Sequence, residues 1–135
     1  MRPHPYLRAY MAGIAMPTAG LVIAVTVFTI ARYGIGLDVP IERALVFPLA
    51  VVPSAWGVWN MLHLAIRTRL RLALGLHGAV LPILLLPAGA MLGRTFAIFD
   101  SPFQTAALFA PLAIAFYYLA WKYVVGFLNA EVGIA

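Results

Sequence analysis

The sequence is too apolar for a water-soluble domain. Of its 135 residues, 64% are hydrophobic and only 10% are charged, whereas soluble domains are about half apolar and a quarter charged. The same composition excludes intrinsic disorder, and the absence of cysteine excludes disulfides, thiolate zinc sites and iron–sulfur clusters. The formal net charge of +5 indicates membrane orientation rather than nucleic-acid binding, because the basic residues are not interleaved with aromatic ones.

Four apolar runs follow one another along the chain. We predict membrane-spanning helices over about residues 9–31, 44–66, 72–93 and 102–128, because a helix needs roughly 20 apolar residues to cross a bilayer. Short connections favour an up-down-up-down order, so the predicted fold is an all-α bundle of four transmembrane helices in a single domain, residues 1–135. Every run contains proline, which predicts kinked helices.

The basic residues are divided unevenly between the two sides of this predicted bundle. Six fall on one side: Arg2, Arg8, Arg67, Arg69, Arg71 and Lys122. Three fall on the other: Arg32, Arg43 and Arg94. Because Lys and Arg in short loops stay on the cytoplasmic side, we expect both termini and the loop between the second and third runs to be cytoplasmic. The expected location is the cytoplasmic (inner) membrane or another cellular membrane.

Small residues in the third run predict close helix packing. Gly89 and Gly93 form a GxxxG pair, and small residues at this spacing allow two membrane helices to approach closely. The partners that we expect are membrane lipids and either another membrane protein or a second copy of the chain, with no nucleic acid.

One polar stripe interrupts the apolar runs. Trp56, Asn60, His63 and Arg67 are separated by four, three and four residues, so they share one face of a helix. His77 falls at a similar depth in the next run, so that His63 and His77 could approach each other. These five residues are the candidates for a binding site.

Three interpretations of the stripe are open. Its polar groups could form interhelical hydrogen bonds. They could instead line a pocket for a lipid headgroup or a quinone, with Arg67, Arg69 and Arg71 holding anionic groups. A haem b or a metal ion could be held by the two histidines. Two histidines are a minimal ligand set, however, and no carboxylate is nearby to orient them, so no metal site is predicted.

No catalytic pattern accompanies the stripe. None of the four runs contains Asp or Glu, whereas proton-coupled transporters commonly carry an intramembrane carboxylate. We therefore predict a small integral membrane protein that is not an enzyme and that acts as an accessory or assembly subunit, or as a homo-oligomer. The alternatives are a small transporter or channel, and a quinone-, lipid- or haem-binding redox subunit that uses His63 and His77.

Overall fold

The chain is almost entirely helical in the residues that a computed structural model describes, namely 3–38, 50–95 and 103–135. Within these ranges there is no strand, which confirms the all-helical prediction. The helices, in order, are α1 (Pro5–Thr29), α2 (Ala50–Leu70), α3 (Leu74–Thr95), α4 (Phe103–Leu119) and α5 (Gly126–Glu131). A π-helical turn, Ile30–Gly34, extends α1, and a second π-helical segment, Ala120–Val125, makes α4 and α5 continuous.

Three helical stretches are long and apolar enough to cross a membrane, as expected for a membrane protein. They are Pro5–Gly34, Leu74–Thr95 and Ala107–Glu131. The described part of α2 is not among them, because Asn60, His63 and two arginines lower its hydropathy. The predicted second span begins at residue 44, and residues 39–49 lie outside the described residues, as does the start of the fourth predicted span at residue 102.

Helix α1 packs along α2 through two glycines. A Cβ atom added to Gly13 would lie 2.6 Å from the carbonyl oxygen of Trp56, and one added to Gly57 would lie 2.5 Å from the ring of Tyr10. Real Cβ atoms do not come this close to their neighbours. The absence of a side chain at both positions is therefore what lets the two helices approach, as small residues commonly do in membrane bundles.

Helix α3 packs along α4 in the same way. A side chain at Gly78 would collide with the indole ring of Trp121, and one at Gly75 would lie 3.0 Å from the ring of Tyr118. Gly89 and Gly93 are also buried by the chain itself, so the predicted GxxxG pair is covered within one molecule. The aromatic rings of the α4 region therefore rest directly on the α3 backbone near the start of that helix.

An aromatic cluster lies where the two helix pairs meet. Trp56 of α2 packs against Trp121 of the π-helical segment with ring centroids 5.4 Å apart, and against Tyr117 of α4 at 4.8 Å. Leu81 of α3 and Val125 complete the buried core. The chain enters α3 through a tight turn at Arg71, whose φ of 44° is left-handed. The core thus sits toward the end of the bundle at which α2 ends and α3 begins.

Prolines lie inside the described helices, as the sequence predicts. They are Pro17, Pro53, Pro82, Pro87 and Pro111. The chain remains helical through each of them. Membrane helices tolerate the lost hydrogen bond because neighbouring groups can satisfy the freed carbonyl.

Candidate functional site

A buried pair of amides joins three helices. The Asn60 Nδ2 atom donates hydrogen bonds to Asn129 Oδ1 at 2.8 Å and to the carbonyl oxygen of Ala9 at 2.7 Å. The Asn129 Nδ2 atom donates in return to Asn60 Oδ1 at 3.1 Å. Both side chains are buried, with exposures of 1% and 5%. The amide pair therefore links α2 to both α1 and α5.

Asn129 is the residue that sequence reasoning missed. It lies one position beyond the predicted fourth span and 69 residues from Asn60. The only local signal for a role of Asn129 is that it is a single amide within an apolar stretch. Its partner, Asn60, cannot be identified from helical spacing.

A second reciprocal contact joins α2 to α3. The Trp59 Nε1 atom donates to the carbonyl oxygen of His77 at 2.8 Å, and His77 Nε2 lies 2.9 Å from the carbonyl oxygen of Trp59. Because a carbonyl can only accept, the proton of this bond is on Nε2. The two rings are stacked with centroids 4.8 Å apart, and His77 is only 2% exposed. His77 is therefore held in place by Trp59.

The two histidines lie next to each other, but the Nε2 atom of His77 is not free to bind iron. Their ring centroids are 4.9 Å apart. An iron atom held by both would need a free nitrogen from each ring directed at it, whereas His77 Nε2 is already bonded to the Trp59 carbonyl. Among the described residues there is also no group of three or more His, Asp or Glu side chains that could hold a metal ion.

A cavity of about 220 Å³ opens beside the amide pair. Its polar lining residues are Asn60, His63, Arg67 and Asn129, and the others are Leu64, Leu74, Gly126, Ile134 and Ala135. The Arg67 guanidinium is the one charged side chain in this lining. Its Nη1 atom donates to the carbonyl oxygen of Ile134 at 2.5 Å, so the segment after α5 forms one wall of the cavity.

The predicted site residues are divided between this cavity and the packing behind it. Asn60, His63 and Arg67 line the cavity. Trp56 lies deeper, in the aromatic cluster, and His77 is buried against Trp59. The remaining predicted headgroup ligands, Arg69 and Arg71, are exposed outside the lining. The apolar wall of the cavity is formed by leucine and isoleucine side chains.

His63 has hydrogen-bonding capacity that the described residues leave unused. It is half-buried, and its Nδ1 atom is buried without a hydrogen-bond partner among them. This distinguishes it from Asn60 and His77, whose side chains are bonded within the chain.

Comparison with protein-family models, with curated proteins and with solved structures found no match to this chain. Its function is therefore argued from the geometry alone.

Proposed function

We propose that this protein is a four-span integral membrane protein of the cytoplasmic (inner) membrane or another cellular membrane. In this proposal it has no catalytic machinery and acts by associating with another membrane protein, as an accessory or assembly subunit, or with a second copy of itself. The observation that carries this proposal is the open face on the second half of α1.

The second half of α1 has few contacts with the other described helices. No residue from 21 to 34 is buried, although the most apolar 18-residue window of Pro5–Gly34 has a mean hydropathy of 2.1. Gly20 is exposed, and no atom of the described residues lies within 4 Å of a Cβ atom built there. Ala24 follows one helical turn later. Small residues four apart on an open face favour association with another membrane helix, because packing rather than apolar burial drives association in lipid.

Most polar side chains near the end of α2, where the arginines lie, have contacts that favour a structural role. Asn60 and Asn129 hydrogen-bond to each other, and Trp59 and His77 hydrogen-bond to each other's backbone carbonyls, so these polar groups find their partners within the chain. Hydrogen bonds between membrane helices hold a bundle together but contribute only about 0.6 kcal/mol each on average. These hydrogen bonds fix the helices relative to one another, as we expect for a protein that binds a partner through a rigid surface.

The proposed topology places this end in the cytoplasm. Hydrogen bonds from Asn60 to Ala9 and Asn129 bring the start of α1 and the α5 region to the second half of α2. Arginines cluster at the end of α2, where Arg67, Arg69 and Arg71 lie within five residues, and such clusters are retained on the cytoplasmic side. In this topology α2 crosses the membrane together with residues 44–49.

The association proposal can be tested by photo-crosslinking in native membranes. A photoreactive amino acid is placed at Val27, on the same face as Gly20 and Ala24, and the matched control carries it at Leu112 of α4; both side chains are well exposed. We expect a protein adduct of defined mass from position 27 only, and its mass separates a second copy from another protein. Gly20→Ile should abolish this adduct, because it blocks close approach while leaving the open face free of clashes within the chain.

Two results would contradict association through α1. One is labelling of lipid alone at both positions. The other is an adduct from position 27 that persists unchanged in the Gly20→Ile variant.

A further inference from the structure

The geometry points to a binding site for a phosphate-bearing anion in the cavity lined by Asn60, His63, Arg67 and Asn129. The proposal goes beyond association in the membrane, because it assigns a ligand to a cavity whose described lining contains no residue of α1. The phosphate group could belong to a phospholipid headgroup or to a free phosphate ion, and the test below separates these sources.

The charge and hydrogen-bond donors of the cavity fit an anion. The Arg67 guanidinium has five N–H groups, and one of them donates a hydrogen bond to the neutral carbonyl of Ile134. No acidic side chain is among the described residues that line the cavity. Arginine pairs with phosphate through two parallel hydrogen bonds, so its fork is matched by the oxygens of a phosphate group.

The asparagine beside Arg67 adds a further donor. An amide nitrogen carries two hydrogens, and Asn129 Nδ2 uses one of them on Asn60 Oδ1. Asn60 Nδ2, in contrast, uses both of its hydrogens, on Ala9 and on Asn129. Asn60 therefore holds Asn129 in position, and Asn129 retains the capacity to bind an acceptor.

The size of the cavity limits what can occupy it. At about 220 Å³ it is smaller than the roughly 300–1,000 Å³ of pockets that enclose whole organic ligands. A haem or a complete quinone does not fit within it, whereas a phosphate group does. Leu64, Leu74 and Ile134 form the apolar part of the wall, which suits the glycerol and first methylene groups of a lipid.

The position of the cavity favours an anion as well. Arg69 and Arg71 are exposed at the same end of α2, where their positive charges raise the local concentration of anions. Basic pockets between membrane helices at the cytoplasmic surface are typical sites for anionic headgroups.

The test is a binding measurement on the full-length protein in a neutral detergent. Short-chain phosphatidylglycerol, short-chain phosphatidylcholine and inorganic phosphate are each titrated and detected by native mass spectrometry and calorimetry. We expect phosphatidylglycerol to bind, and Arg67→Gln to weaken it by at least about tenfold, because a charge-assisted pair is lost. Arg69→Gln is the matched control and should change the affinity by less than about twofold, because Arg69 lies outside the cavity lining and acts on the ligand only as a more distant, screened charge.

A second pair of variants tests the cavity without changing its charge. Leu64→Phe places a larger side chain in the lining and should weaken binding, whereas Leu62→Phe, on an exposed position two residues away, should not. This pair remains informative if Arg67→Gln unfolds through loss of the bond to Ile134.

The outcomes identify the source of the phosphate or reject the site. Displacement of the lipid by millimolar inorganic phosphate indicates a free-phosphate site, and no displacement indicates a headgroup site. Equal binding of phosphatidylcholine and phosphatidylglycerol, equal losses for Arg67→Gln and Arg69→Gln, or no binding of any probe would overturn the proposal.

Discussion

At the scale of single residues, the buried amide pair shows where helical spacing informs and where it does not. The stripe from Trp56 to Arg67 could be placed on one face because α-helices have a fixed period, and the structure buries Trp56 and Asn60 of that stripe inside the bundle. Asn129 could not be paired with Asn60, because their contact depends on how helices distant in sequence are arranged. Local pattern therefore identifies a polar face but not its partner.

Removal of one amide of the pair should destabilise the protein, because the other amide loses its hydrogen-bond partner. Asn129→Leu leaves the Asn60 side chain with an unsatisfied buried donor, and we expect the free energy of unfolding to fall by about 1–3 kcal/mol. The double variant Asn60→Leu with Asn129→Leu should lose less than the sum of the single variants, with a coupling energy of about 0.5 kcal/mol or more. Unfolding in mixed micelles with increasing denaturing detergent provides the measurement. Strictly additive losses would show that the two amides do not act as a pair.

At the scale of elements, the helices were predicted better than the places where they touch. Continuous apolar runs predict helices because no other local structure satisfies the backbone in lipid. The GxxxG pattern predicts close packing at Gly89 and Gly93, whereas close helix contacts also lie at Gly13, Gly57 and Gly78. These depend on the facing residue, such as Trp121, which the sequence of one helix does not reveal.

The π-helical segment Ala120–Val125 was also beyond prediction. A π-helical turn widens the helix locally, and such turns are often found at functional sites. Here the segment contains Trp121, which is fully buried against α2 and α3. No spacing rule for apolar residues distinguishes this turn from the α-helix on either side, because its position follows from packing.

Substitution by alanine should destabilise the protein at one glycine of α1 and have little effect at another. Gly13→Ala places a methyl group against the backbone of Trp56 and Gly57, which cannot move away without separating α1 from α2. We expect a loss of about 1–3 kcal/mol in the free energy of unfolding, as for overpacking in general. Gly20→Ala, seven residues later in an open position, should leave stability within about 0.5 kcal/mol. Thermal unfolding in detergent compares the two, and equal stabilities would contradict the close packing of α1 on α2.

At the scale of the whole molecule, the central question is the path of α2. Three helical stretches meet the length and hydropathy of a membrane span, while the described part of α2 is made more polar by the residues that build the cavity and the amide pair. Composition alone does not distinguish a spanning from an interfacial helix here, because Asn60, which lowers the hydropathy of α2, is buried and hydrogen-bonded inside the bundle. The proposed four-span topology requires α2 to cross.

Labelling of single cysteines tests this topology most directly, and the chain contains no native cysteine to interfere. Leu37→Cys, Thr68→Cys and Glu131→Cys place thiols before α2, near its end and near the end of α5, at exposed positions. Oriented membrane vesicles are treated with a membrane-impermeant maleimide, and Ile83→Cys within α3 is the control that should not react from either side. We expect Thr68→Cys and Glu131→Cys to react from the cytoplasmic side and Leu37→Cys from the opposite side. Reaction of Leu37→Cys and Thr68→Cys from the same side would show that α2 does not cross the membrane and would contradict the four-span account.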